Sequence, residues 1–472
     1  MIPLLHGTGP LFRQLYGGLR DAILSGAYAP GERLPSTREL AEQLGVSRTV
    51  VVTAYELLLA EGFVTGRGGS GTFVSAELDR RADDRPIPTT EIKLSRFGKA
   101  AAATQASPPQ RGTPSLRYDF VYGRSNLEIF PFETWRRILL RQARQASARK
   151  LGYGPPTGSP VLRAAICAHV RRARAVVCDP ADIIVVNGSQ QALDLIARVL
   201  IERGDPVVLE EPHYDAVREV MRAAGATLLP AAVDEEGLNP AALPERAALA
   251  VVTPSHQFPT GAILPLQRRL ALLDWARRAN AVIVEDDYDG EFHYDGRPLE
   301  SLQGLDGEGR VIYVGTFSRT VFPALRIGYL IVPKPLVPVF AAAKWLNDTH
   351  SATLEQEALA EFISEGFYER HLRRLRAWNA TRRTRLLRAV RDHLGDRVTV
   401  TGAGAGAHIA LWPKDGIAEP ELIARAAARG VGVYGLSHCY LGTPVRPGAI
   451  LGFTHLDETE IEDGIRLLGE VI

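Results

Sequence analysis

Residues 311–333, VIYVGTFSRTVFPALRIGYLIVP, decide how the rest of the chain is read. VIYVG and RIGYLIVP are short runs rich in β-branched and aromatic side chains, so two strands are expected with a turn between them. The turn carries Thr316 and Ser318, two hydroxyls able to donate to a phosphate. Arg326 follows, and an arginine fork matches a phosphate bidentately and stays charged at any working pH. Arg319 stands between these groups, a second cation in the same turn.

Outward from this segment, from about residue 116 onward, strand-like and helix-like runs alternate. DIIVVNG (182–188), PVVLEEP (206–212), ALAVVTP (248–254) and AVIVEDD (281–287) are the strands. SQQALDLIARVLIERG (189–204) and PLQRRLALLDWARRAN (265–280) are helices between them. The alternation predicts a largely parallel sheet covered by helices on both faces. Charged helices follow after about residue 340, and an α+β segment closes the chain as a smaller lobe, expected from about 345.

Residues 11–75 are organised differently. LFRQLYGGLRDAILSG spaces Leu11, Leu15, Leu19 and Ile23 as one helical face. PSTRELAEQLG opens with Ser36 three residues before Glu39, a capping box, and Ser47 is placed as the N-cap of the next helix. FVTGRGGSGTFVS reads as two short strands joined by glycines. This order is that of a winged helix-turn-helix. Ser36 and Arg38 lie where a helix start suits phosphate, Ser47, Arg48 and Thr49 open the helix that would enter a major groove, and Arg67 and Gly69 belong to the wing. Solvated caps and surface arginines are the alternative, since residues 1–76 hold six Lys/Arg against six Asp/Glu. Residues 77–115, rich in proline and alanine, are expected to be a linker with at most a brief helix, spanning roughly 35 Å as a coil.

The totals agree with a multidomain globular protein. A chain of 472 residues is too long for one core, and its net charge of +1 gives no global pull toward nucleic acid or membrane. Three cysteines without metal spacing suit a reducing cytosol. The N-terminus does not read as a signal peptide and no stretch reads as a membrane span, so a cytoplasmic protein without membrane contact is expected.

The segment LPSTRELAEQLGVSRTVVVTAYELLLAEGFV…GSGTFV closely resembles the DNA-binding domain of the GntR family. That resemblance implies binding to operator half-sites in double-stranded DNA. The large domain resembles fold-type I aminotransferases, which implies a pyridoxal phosphate site. Gly188, Ser189 and Gln190 would meet the phosphate at a helix start. Tyr214 would stack on the ring, and Gln257 lies near the asparagine of the family's HNPTG loop. Asp286 would keep the pyridine nitrogen protonated, with Tyr288 reaching the ring oxygen, and Thr316, Ser318 and Arg326 would complete the phosphate cup. A metal at the acid pair is the competing reading, without a histidine cluster in the sequence to support it. Together the two domains resemble the MocR/GabR subfamily, which implies a small-molecule effector, often an amino compound, and a head-to-tail homodimer. Arg446 and His438 are the effector-binding candidates.

In that subfamily, position 319 carries the lysine that bonds the cofactor. A guanidinium cannot be deprotonated in a protein and cannot attack an aldehyde. No internal aldimine and no enzymatic turnover are therefore expected, and the cofactor would bind noncovalently. Three alternatives stay open: a pocket turned to another anionic metabolite with Arg319 as its clamp, a Lys-to-Arg change introduced to block the chemistry, or an active aminotransferase using a different lysine.

Overall fold

The structure, a computed structural model, describes residues 9–67, 70–76, 92–104, 116–147, 151–294 and 300–472, and of Arg67 the backbone alone. The chain divides after Lys93 into two compact units.

In the first unit, Leu15, Leu19 and Ile23 are buried along one face of the helix Leu11–Leu24, while Leu11 at its start is exposed. Ser36 closes the expected capping box on the helix Thr37–Leu44. Its hydroxyl accepts from the Glu39 N–H at 3.2 Å, and its own N–H donates to Glu39 Oε2 at 2.8 Å. Ser47 stands at the cap of the helix Arg48–Ala60, but its side chain makes no cap hydrogen bond. Val64–Arg67 pairs antiparallel with Gly71–Val74 to form the wing. Leu15, Leu40, Leu58, Val64 and Val74 share one core, which binds three helices and the hairpin into a unit.

The second unit is built on an eight-stranded sheet. Its order is Ile183–Val186, Gly328–Ile331, Val311–Thr316, Val282–Asp287, Leu249–Val252, Pro206–Glu211, Thr227–Asp234 and Gly237–Leu238. The five strands from Val311–Thr316 to Thr227–Asp234 are mutually parallel, and Gly328–Ile331 runs against both of its neighbours. Strand side chains alternate between two cores. Val185, Tyr313 and Ile331 pack with Leu162 and Ile166 on one face, whereas Val186, Ile312 and Leu330 pack with Leu193 and Ile196 on the other.

The smaller lobe is a four-stranded antiparallel sheet, Val398–Thr401, His408–Pro413, Ala449–Gly452 and Tyr434–Gly435. Two boundaries differ from the expected ones. The helix Thr353–Ser364 buries Ala358, Leu359 and Phe362 in the large core, so the lobe begins beyond 345, along the helix Phe367–His393, whose Leu386 and Val390 belong to the lobe core. Tyr118 and Phe120 also belong to that core, because Tyr118–Asp119 pairs with Val431–Gly432. Within the expected linker, Arg96–Ala103 is a helix capped by Ser95 that packs on the helix Asp215–Ala224 of the second unit. No helix among the described residues is long and apolar enough to cross a membrane.

Candidate functional site

The carboxyl ends of the parallel strands put Glu211, Thr253, Asp287 and Thr316 along one edge of the sheet, where ligands of open α/β sheets bind. Asn187 and Gly188 follow Val186 at the same edge, and Gly188 caps the helix Ser189–Leu200. The first N–H groups of that helix have no acceptor within it and face forward as donors. Gly188 has φ 85° and ψ 170°, a conformation reserved for glycine. A Cβ there would lie 2.7 Å from Arg326 Nη2, so the bare backbone lets the guanidinium reach the helix start. Arg326 Nη2 donates to the Asn187 carbonyl at 3.0 Å. Thr316 and Ser318 lie together, hydroxyl to hydroxyl at 3.1 Å. Gln190, in contrast, is exposed, and the neighbouring Gln191 does the local work by accepting from the Asn187 N–H at 2.8 Å.

Asp286 and Asp287 end one strand and meet different fates. Asp287 accepts from Arg174 Nε at 2.7 Å and from the Tyr313 hydroxyl at 2.5 Å. Asp286 has neither partner and no other hydrogen bond among the described residues; its Oδ1 is buried unpaired, as is Asp287 Oδ1. Burial, reinforced by Asp287 and Asp289, raises its pKa to about 7, while Arg319 pulls it down. A buried carboxylate oxygen with no donor fits a protonated ring nitrogen supplied by a ligand. With the anion cup on the same sheet edge, the residues present fit a phosphorylated pyridine.

The aromatic candidates cluster, but Gln257 does not offer its amide to a ligand. Its Nε2 donates to Glu210 Oε2, Pro212 O and Phe258 O, and its Oε1 accepts from Thr260, so the amide is spent on the loop. The Phe258 ring takes the space instead, edge-on to Tyr214 at 5.6 Å and to Tyr288 at 6.0 Å. The Tyr288 hydroxyl donates to the His256 carbonyl at 3.1 Å and lies 3.0 Å from His256 Nδ1. His256 Nδ1 is also 2.9 Å from Asp289 Oδ2.

His256, Asp289 and His408 are buried and bring one donor atom each within 4.8 Å of one another, a histidine cluster that the linear sequence did not reveal. His256 Nδ1 bonds to Asp289, whereas His408 Nε2 lies 3.2 Å from the Pro259 carbonyl and its ring packs edge-on to His256 at 4.9 Å. A Cβ on Gly406 would fall 2.1 Å from His256 Cε1 and 2.6 Å from Asp289 Oδ2. Among the described residues the acid pair gives no such cluster, and Asp287 is committed to Arg174.

Arg319 is half-buried in its turn, and the Ser125 hydroxyl donates to its carbonyl at 2.6 Å. The guanidinium packs on Gly123, where a Cβ would lie 2.7 Å from Nη1. His438 Nε2 is 3.2 Å from the Tyr122 hydroxyl, and Tyr122 in turn feels the Arg319 charge. Arg446 is exposed and stacks over Trp412 at 4.1 Å. Sequence reasoning missed Tyr122, Gly123, Ser125, Phe258 and His408. Only Phe258 and His408 carried a local signal, one beside the proline of a tight loop and the other after a glycine run.

In the first unit, Ser36, Arg38, Ser47, Arg48 and Thr49 are all exposed. Arg48 Nε lies 3.4 Å from Thr37 Oγ1, which brings the starts of two helices side by side. Arg33, not singled out from sequence, sits against Gly71 of the wing. Gly69 lies outside the described residues.

Comparison with known proteins agrees with this architecture. Residues 11–74 match the family of bacterial regulatory proteins, gntR family, and residues 124–434 match aminotransferase class I and II. The chain is 40% identical over 465 residues to the probable rhizopine catabolism regulatory protein MocR of Rhizobium meliloti, covering 97% of this chain and 93% of that one. It is 32% identical over 482 residues to the pyridoxine biosynthesis transcriptional regulator PdxR of Corynebacterium glutamicum, covering 98% and 97%. The solved structure of LysN, an α-aminoadipate aminotransferase of Thermus thermophilus complexed with N-(5'-phosphopyridoxyl)-L-leucine, is 29% identical. It superposes with a TM-score of 0.73, covering 80% of this chain and 98% of that one. The gntR match implies DNA binding through the first unit. With a helix-turn-helix and an aminotransferase-like domain in one chain, and regulators as relatives over nearly its whole length, this protein belongs to the MocR-type transcriptional regulators of the GntR family.

Proposed function

We propose that this regulator uses its aminotransferase-like domain as a sensor that holds pyridoxal phosphate noncovalently, without turnover, and that it works as a head-to-tail homodimer on paired operator half-sites. The observation that carries the reading is an anion cup and a partnerless Asp286 sharing a site with an arginine at 319. Ser189, Thr316, Ser318 and Arg326 would hold the phosphate, Tyr214 would cover the ring, and Asp286 would hold the proton on the ring nitrogen. When bound, the cofactor supplies an electron-withdrawing pyridinium. Arg319 can neither lose a proton nor form a covalent bond to the cofactor's aldehyde carbon, so the domain binds and does not turn over.

An active aminotransferase would need another lysine. Lys334 pairs with Asp179 at 2.9 Å, and the buried Lys344 pairs with Asp348 at 2.5 Å and with the Ser351 hydroxyl at 3.1 Å, so neither amine is free. The names of the relatives support a small-molecule signal, rhizopine catabolism for one and pyridoxine biosynthesis for another. Exposed apolar side chains on the second unit, among them Trp345, Leu346 and Tyr153, suit burial in a dimer. On the DNA side, Arg48 and Thr49 enter the groove, Ser36 and Arg38 meet phosphates, and Arg67 and Gly69 form the wing contact.

Equilibrium dialysis against pyridoxal phosphate without an amino compound tests the reading. Saturable binding that Arg326→Ala abolishes is the expected result. Absence of binding would assign the pocket to a different anionic metabolite, a second reading that the partnerless guanidinium of Arg319 favours.

A further inference from the structure

The phosphate site uses one cation, Arg326, and leaves a second beside it without a role. The Arg319 guanidinium rests on the bare backbone of Gly123, and its carbonyl is fixed by Ser125 at 2.6 Å. It is half-buried, and no hydrogen bond or ion pair engages it among the described residues. A guanidinium presents five donors in a fixed fork, and keeping it partly desolvated without a partner costs free energy. Tyr122, Tyr214, Tyr288, Asp286 and His408 all feel its charge, so it lies within electrostatic reach of each of them. None of them is ion-paired to it.

Three other arginines each have a contact of their own. Arg218 pairs with Glu219 at 2.9 Å and donates to the carbonyls of His438 and Tyr440. Arg446 is stacked on Trp412, and Arg326 is held at the helix start by Asn187. A ligand carboxylate that reaches these groups meets the Arg319 fork without having to displace a protein partner.

We propose that Arg319 is the receptor for a carboxylate on the ligand, so that the site takes a doubly anionic small molecule, with a phosphate ester at the Ser189–Arg326 end and a carboxylate on the Arg319 fork. The inference rests on the proposed phosphate site, and it makes residue 319 a determinant of specificity rather than a lost anchor. A bidentate arginine–carboxylate contact replaces two separately hydrated ions and gives a preference of about tenfold to a hundredfold.

The test compares three stable probes by equilibrium dialysis: pyridoxamine phosphate, N-(5'-phosphopyridoxyl)-L-leucine, and the same adduct made with isopentylamine, which lacks the carboxylate. The full chain is expected to bind the leucine adduct about tenfold to a hundredfold more tightly than the isopentylamine adduct. Arg319→Gln is expected to reduce that ratio to about threefold or less while still binding pyridoxamine phosphate, and Arg319→Lys, which keeps the charge but not the fork, to fall between. Equal affinity for the two adducts in the unaltered protein overturns the inference and leaves the phosphate site standing. A preference that survives Arg319→Gln also overturns it, because another group then carries the carboxylate. If none of the three probes binds, the phosphate-site reading fails and this inference fails with it.

Discussion

Gly188→Ala probes the anion cup at its tightest point. The backbone there has φ 85° and ψ 170°, and an L-residue forced into that region costs about 1–3 kcal/mol. The new methyl carbon would also stand 2.7 Å from Arg326 Nη2 and 3.1 Å from its Cζ. The arginine is the flexible partner, so it yields. That breaks its 3.0 Å hydrogen bond to the Asn187 carbonyl and withdraws the charge from the helix start. Loss of one charge-assisted contact to a phosphate is worth about 1.5–3 kcal/mol, or about tenfold to a hundredfold in affinity. Urea unfolding reads the first quantity, and dialysis against pyridoxal phosphate reads the second. The decisive comparison repeats the change in an Arg326→Ala background, where the backbone cost remains but the guanidinium is already gone. There Gly188→Ala should have little further effect on phosphate affinity, because the two residues act through one contact. If the two substitutions weaken binding additively, Gly188 does not act by positioning Arg326, and the account of the cup is wrong.

Two further predictions concern pH and DNA. Burial pushes the Asp286 carboxyl up to about 7 in the fold against 3.8 when exposed, so protonation favours the folded state. Its stabilising share is full below about pH 4, falls as pH rises, and is lost by about pH 7, a swing of at most about 4 kcal/mol. Asp286→Asn should flatten this part of the stability–pH curve, and an unchanged slope between pH 4 and 7 would remove Asp286 as its source. Arg38→Ala and Arg48→Ala should each weaken operator binding and lower the steepness of its salt dependence by about one ion, with the second unit still folded. Mobility shifts at several salt concentrations give the slope, and an unaltered slope would place these arginines off the DNA backbone.

The sequence was most legible where a physical pattern repeats. Helix faces such as Leu15, Leu19 and Ile23, the Ser36–Glu39 capping box and the short β-branched strands announce themselves through spacing, and the structure places them as that spacing requires. The start of the helix Ser189–Leu200 was legible for a related reason, since a β-branched run, a glycine and a polar residue in succession mark a strand followed by a helix. The lobe boundary was not, because the charged surface of the helix Thr353–Ser364 hides a row of core residues, and because Tyr118–Asp119 pairs with a strand more than 300 residues later. Pairing at that distance leaves no local trace.

The least legible part of the site is the part that decides its chemistry. Asp286 and Asp287 are adjacent and chemically identical, and in EDDYD it is the family resemblance alone that singles out Asp286. Only the fold, by delivering Arg174 and Tyr313 to Asp287 Oδ2, leaves Asp286 as the carboxyl without a hydrogen bond among the described residues. The same holds for residue 319. Its identity removes a nucleophile, but what the guanidinium offers in return depends on Gly123 and Ser125, nearly two hundred residues earlier. An arginine paired with an acid in this place would be a plain replacement for a missing lysine. Half-buried, backed by a glycine and without a carboxylate of its own, it is placed to take one from a ligand.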